Sequence, residues 1–202
     1  MLCQFTVKNY KSIRDKVTFD MQAVAISEHE DRIMKDKDGE VYLPVSAIYG
    51  PNGGGKSNVL AALHTLVAKI LRPLYATEDN EERVFLQKRI IVEQFAFSES
   101  KNEPTEFELF FRTKSAEYRY ILYVKRDVVI YESLDRIKLE TGRRSALFTR
   151  DENGIILKGA FAKLKVSDEL SKTLTLLSYL GIAYKENVIV KDLLALKHLC
   201  IV

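Results

Sequence analysis

The 202-residue sequence predicts an α/β fold with a strand, glycine-rich loop and helix at its front, an antiparallel sheet alongside, and helices toward its C-terminus. Three observations carry this prediction. An apolar run of strand length, residues 41–49, leads straight into residues 50–55, which hold four of the nine glycines of the chain. Residues 90–157 alternate apolar and polar side chains, and after Ser167 leucines recur at helical spacing. With 47% hydrophobic and 29% charged residues the chain can bury a core, which excludes a mainly disordered state. Its length suits one large domain or one lobe of a larger unit.

Taken in order, Cys3, Phe5 and Val7 face opposite to Gln4, Thr6 and Lys8, the period of a half-buried strand. Val17, Phe19 and Met21 repeat the pattern after a polar turn around Arg14 and Asp15, so the two segments predict a hairpin. Residues 27–40, SEHEDRIMKDKDGE, are almost without apolar side chains and predict a solvated excursion. Residues 41–49, VYLPVSAIY, predict a buried strand with residues 45–49 central and Pro44 near its start, where a missing amide is tolerated.

Past Lys56, the residues Leu60, Leu63, Val67, Ile70 and Leu71 share one helical face, and this helix is expected to stop near Arg72, before Pro73. Strands follow at Phe107, Leu109 and Phe111, at Tyr118, Tyr120, Leu122 and Val124, and at residues 128–134. Leu170, Leu174, Leu177 and Leu180 predict a helix capped by Gly181, and Val190, Leu193, Leu194 and Leu196 one more. The organisation expected is a front unit (1–75), an antiparallel β subdomain (76–160) and a helical segment (161–202).

Several function classes drop out on composition. No apolar run approaches the roughly 18–20 residues of a bilayer helix, and the start lacks the apolar core of a signal peptide, so a cytoplasmic protein without membrane contact is expected. Cys3 and Cys200 sit at opposite ends with no CxxC, offering neither a zinc site nor a disulfide framework. His29, His64 and His198 are far apart and propose no histidine chemistry. A net charge of +3 is too small to predict nucleic-acid binding from composition. Tyr118, Arg119 and Tyr120 are the one aromatic and basic interleaving that makes nucleic-acid contact worth weighing, and Arg143 and Arg144 follow Gly142 in a turn where they reach either phosphate or water.

Gly50, Pro51, Asn52, Gly53, Gly54, Gly55, Lys56 and Ser57 match G-x-x-x-x-G-K-[ST] between a predicted strand and a predicted helix. Glycines let successive amides turn toward phosphate oxygens, and the helix start adds its positive end. Lys56 is expected to reach the terminal phosphates and the Ser57 hydroxyl to hold Mg²⁺, so the metal arrives with a nucleotide.

Asn52 within GPNGGGKSN, with Asn58 after the hydroxyl residue, resembles the loop of the SMC, RecF and OLD-like branch of ABC-type ATPases. The opening FTVKNYKSIRD carries N-[FY]-[KR]-S as Asn9, Tyr10, Lys11 and Ser12, which in that branch lies beside the nucleotide. Residues 103–111, 117–124, 131–134 and 146–154 are similar to bacterial AAA-family ATPases associated with abortive infection and phage defence. The resemblance implies a P-loop NTPase of the ABC-type head, first lobe, that binds ATP and Mg²⁺. It also implies that Lys11 and Ser12 lie near the base, ribose or phosphates, and that a second ATPase head, a C-terminal lobe or a second copy is the partner. An exposed basic edge made by Lys8, Lys11 and Arg14 is the alternative reading of that stretch.

Hydrolysis by such a head also needs an aspartate after an apolar strand, a glutamate beside it, and a signature segment from the opposing subunit. Residues 128–133 reach Glu132 without a preceding acid, and ILYVKRD reaches Asp127 only after two basic residues. LSYLG at 177–181 continues a leucine face and predicts core packing; Gln87 and Gln94 are indistinguishable candidates for a lobe-coupling glutamine. A cradle without a water-orienting carboxylate binds nucleotide but accelerates little. The apolar ending LLALKHLCIV suggests either a front half that expects a partner surface or a last helix packed into its own core. Three functions stay open: an ATP-binding lobe acting as a switch in phage defence or DNA maintenance, a nucleotide sensor that does not hydrolyse, and a nucleic-acid binder using the loop for backbone phosphate.

Overall fold

A computed structural model describes residues 1–24, 32–36, 38–76, 90–97, 102–167 and 169–198. The strand-period segments assemble into one antiparallel sheet of seven strands in the order β2-β1-β5-β6-β7-β8-β9. These are β1 Leu2–Lys8, β2 Val17–Asp20, β5 Thr105–Arg112, β6 Ala116–Lys125, β7 Val128–Lys138, β8 Arg144–Asp151 and β9 Gly154–Leu157. The two-stranded hairpin β3 Met34–Lys35 and β4 Val41–Tyr42 stands apart, bridged to the large sheet where Gln22 meets Tyr42.

Register explains why these strands cohere. Phe19, Phe5, Leu109, Tyr120, Leu134, Phe148 and Leu157 face one another strand by strand, so a single row of apolar side chains crosses all seven strands. A slip of one residue anywhere would turn that row to the opposite face. The five inner members are buried, and helix α1 (Lys56–Tyr75) lies over their face through Ala62, Leu63, Leu66 and Ile70. The predicted hairpin of β1 and β2 forms, but its strands and those of residues 105–157 belong to the same sheet.

Residues 45–49 depart from expectation. Strand structure covers Val41–Tyr42 alone, and Val45 and Tyr49 are 79% and 90% exposed instead of central and buried. An isolated strand has no ladder to satisfy its amides, and among the described residues no strand lies beside this segment. The surrounding charge run is also more than a wetted loop. Arg112, buried in β5, donates from Nε to Glu117 at 2.7 Å and pairs with Asp36 at 3.2 Å and Asp38 at 2.8 Å, while its guanidinium lies 5.0 Å from the Tyr42 ring centre. One cation thus fastens the β3–β4 hairpin to the sheet.

Helix α1 runs through Pro73 to Tyr75, past the predicted stop. Pro73 cannot donate to the carbonyl four residues back. The Ser178 hydroxyl ties this stretch to a later helix, donating to the Ile70 oxygen at 2.6 Å and lying 3.5 Å from the Lys69 oxygen that Pro73 leaves without its helical donor. Ser178 belongs to α2 (Leu176–Ala183), which starts later than the leucine spacing predicted because Leu170 and Leu174 lie in turns before it. Gly181 is inside this helix rather than at its cap, buried where a Cβ would run into Leu74 of α1. Leu177 and Leu180 pack in the core as their spacing predicted. Helix α3 (Val188–Leu193) and a 3₁₀ segment (Leu194–His198) complete the described fold. No described helix is long and apolar enough to cross a membrane.

Glu132 holds α2 in place. Its buried carboxylate accepts from the amides of Leu176 at 2.6 Å and Leu177 at 3.0 Å and from the Tyr120 hydroxyl at 2.9 Å, with Arg150 3.8 Å away. A carboxylate at a helix start satisfies orphan amides and opposes the helix dipole. Burial pushes this carboxyl upward in pKa, while the two amides, the tyrosine and Arg150 pull it back. Glu132→Ala strands those donors and is expected to cost about 3 kcal/mol, against about 1 kcal/mol for Tyr120→Phe. Urea denaturation followed by circular dichroism measures both, and equal losses would remove Glu132 from this role.

Candidate functional site

Gly50 to Ser57 form a turn and the first residues of α1. Gly55 caps the helix at φ 81°, a left-handed conformation that side chains with a Cβ rarely adopt. At Gly54 the reason for glycine is space, since a Cβ would sit 3.0 Å from the Pro51 carbonyl oxygen. That same oxygen takes the Gly54 amide at 3.1 Å and closes the turn. The amides of Gly53, Gly55 and Lys56 have no backbone partner among the described residues, as expected at a helix start whose glycine cap offers no side-chain acceptor.

Lys56 folds back over the loop. Its ammonium donates to the Gly50 oxygen at 2.8 Å and the Pro51 oxygen at 2.7 Å, which leaves one of its three N–H donors for a ligand. The Ser57 hydroxyl has no hydrogen-bond partner among the described residues. It lines an open concavity of about 400 Å³ with Asn52, Gly53, Gly54, Gly55 and Asn58. An unengaged hydroxyl beside free amides is a donor set that fits a phosphate-borne Mg²⁺. Among the described residues no cluster of three metal-ligating side chains offers the ion another place.

The turn after β1 reaches the same loop. The Asn58 side-chain amide donates to the Ser12 hydroxyl at 2.6 Å, and Ser12 lines this concavity and a neighbouring one beside the glycines. Asn9 aims the turn. It is fully buried with φ 56°, its Nδ2 donates to the carbonyls of Glu103 and Pro104, its Oδ1 accepts from the Phe95 amide, and its own carbonyl takes the Thr105 hydroxyl at 2.6 Å. Tyr10 then joins the turn to α1 through its hydroxyl, 2.9 Å from that of Thr65. Lys11 points elsewhere: its ammonium lies 5.5 Å from the Tyr10 ring centre, and its amide donates to the Glu93 carbonyl at 3.0 Å. The structure thus brings Gly50, Asn52 through Asn58 and Ser12 together and leaves Lys11 at the margin.

Arg14, Asp15, Phe95, Ile48 and Tyr49 line a second, contiguous space of about 710 Å³ beside Lys56. Phe95 and Asp15 carry no motif in the sequence and emerge only from the fold. Asp15 is the one carboxylate lining either concavity among the described residues, and Arg14 grips it at 2.9 Å. That bond holds the Asp15 carboxyl below the usual carboxylate range, which makes it a weak base.

Other sequence candidates fall away from the site. Tyr118 and Tyr120 are fully buried and cannot stack on a base, while Arg119 pairs with Glu108 at 2.6 Å. Arg144 pairs with Asp135 at 2.8 Å and Arg143 is exposed. Gln94 turns toward Thr105 and the Val124 carbonyl; Gln87, His29 and Cys200 lie outside the described residues. The backbone oxygen of Asp127 receives the buried Lys69 ammonium at 2.9 Å. Burial lowers the pKa of that ammonium.

A family model described as "AAA domain, putative AbiEii toxin, Type IV TA system" matches residues 45–181, more than half of the chain. No curated protein matches.

Gly54→Ala is expected to weaken binding of inorganic tripolyphosphate with Mg²⁺ by at least about tenfold, because the added methyl displaces the Pro51 carbonyl that closes the turn. The loop is exposed, so the melting temperature should stay within about 3 °C of the parent. Titration calorimetry and thermal unfolding read the two quantities, and unchanged affinity would detach the loop from phosphate.

Proposed function

This chain belongs to that AAA-domain family, and on that premise we propose that it is the ATP-binding lobe of an ABC-type head of the SMC, RecF and OLD-like kind. Family membership itself carries nucleotide binding. The observation that carries the finer reading is the bond from Asn58 to Ser12, which joins the two sequence motifs of that branch at one loop.

Bound Mg²⁺–ATP supplies the terminal phosphoryl group and the charge that the site must hold. Lys56 offers its remaining N–H, the amides of Gly53, Gly55 and Lys56 offer donors, and Ser57 offers its hydroxyl oxygen to the metal. Asn58 fixes Ser12 at the rim, where its hydroxyl can meet a phosphate or ribose oxygen. Asp15, the carboxylate beside the loop, is engaged by Arg14 at 2.9 Å. Binding without appreciable turnover is the result, with the missing acids delivered by a second lobe or a second head. The unpaired apolar residues 45–49 suit such an arrival, since added strands would complete their ladder. The AbiEii label of the family supports a role for this switch in phage defence, with DNA maintenance as its other setting.

ATP with Mg²⁺ should bind, and Lys56→Ala should weaken that binding by about a hundredfold by loosening the loop and removing its donor. Phosphate release from the chain alone should stay near the buffer background and rise when an acid-bearing lobe is supplied. Unchanged ATP affinity in Lys56→Ala would overturn the site, and substantial hydrolysis by residues 1–202 would overturn the division of labour.

A further inference from the structure

The two edges of the large sheet are treated differently. At the β2 edge, the chain returns so that Leu43 donates to the Met21 carbonyl and Ala23 to that of Val41, and the β3–β4 hairpin flanks it. Strand β9 has β8 on one side and, among the described residues, no strand on the other. Edges are commonly blunted by charge, proline or a bulge. Gly154, Ile155, Ile156 and Leu157 carry none of these, and Ile156 is 56% exposed.

Charge is arranged at the two ends of this strand. Asp151 ends β8, Glu152 lies in the turn that enters β9, and Lys158 leaves β9 in extended conformation at φ −133° and ψ 167°. Neither Glu152 nor Lys158 has an ion-pair partner among the described residues. Beside the strand, Val128, Ile130, Leu164 and Leu170 line a groove of about 950 Å³, with Ile130 44% exposed.

We propose that β9 is a self-pairing edge, joining two copies of this chain antiparallel about a two-fold axis at Ile155. The occupant follows from the charge order. Antiparallel pairing lays the strand's acidic entrance against its basic exit, so Glu152 of each copy, three residues before the axis, meets Lys158 of the other, three residues after it. One self-complementary patch then satisfies both copies, the condition for a closed two-fold dimer. Outward amides and carbonyls of β9 find partners, and Ile156 loses exposure to water. Four residues a side make a small contact, so the dimer is weak, with a dissociation constant of about 10–100 μM.

Sedimentation velocity of the chain without nucleotide, across that concentration range, tests the pairing. A monomer–dimer equilibrium is expected. Glu152→Lys and Lys158→Glu should each weaken it by about tenfold, and the double reversal should restore it. Ile155→Pro, which removes an outward amide at the axis, should abolish it. Because the edge is remote in sequence from the loop, Lys56→Ala should dimerise like the parent, so loss of nucleotide binding and loss of pairing are separable results. A chain monomeric throughout, or a double reversal no better than the single ones, would overturn the proposal.

Discussion

Asn9 is the constraint on which the site depends. It takes a left-handed conformation that most residues avoid, and it is compensated by hydrogen bonds from both ends of its side chain and from its own carbonyl. Those bonds tie β1 to residue 95 on one side and to residues 103–105 on the other. The turn that follows therefore leaves the sheet in a fixed direction, and Ser12 arrives at the phosphate loop. An alanine at this position would lose the partners and retain the strained backbone.

The helix that carries the loop is restrained at its other end as well. Lys69 directs its charge to the carbonyls of Asp127 and Thr173, and the Ser178 hydroxyl donates to the Ile70 carbonyl in the turn before Pro73. Glu132 in turn anchors the start of the helix that bears Ser178. A chain of polar contacts thus runs from β7 through α2 to the end of α1. Each link is buried, so each would be costly to leave unpaired. The glycine loop itself is exposed, and its geometry rests on these remote fixtures more than on packing around it.

What the sequence made legible follows from how local each cause is. The loop's glycines, Lys56 and Ser57 act through backbone freedom and fixed spacing, so eight consecutive residues contain the information. The strands of the large sheet were readable because their alternation is local too, although their union into one sheet with the opening hairpin was not. Residues 45–49 misled because an apolar run states a preference for burial without naming a neighbour to pair with. Pro73 misled because a contact that holds this part of the helix, the Ser178 hydroxyl on the Ile70 carbonyl, comes from about a hundred residues away in sequence. Glu132 looked like an incomplete catalytic acid, and the charge run that holds Asp36 and Asp38 like a solvated excursion. Their roles depend on partners brought together only by the fold, which no spacing rule encodes.

Near-neutral composition and an anion site are compatible because the positive potential is local. Across the sheet, cations are spent on neighbouring carboxylates: Lys8 on Glu106, Arg119 on Glu108, Arg144 on Asp135. At the loop the donors are backbone amides and one lysine, which add no net charge beyond that single ammonium. Asp15, the one carboxylate lining the adjoining space among the described residues, is paired with Arg14, which offsets its repulsion of a polyanion. A carboxylate beside phosphate repels it, and the same group is the one that would orient an attacking water. Placing phosphate binding and water orientation on different chain segments would let binding persist until an acid is brought in, which is the physical basis of the switch proposed above.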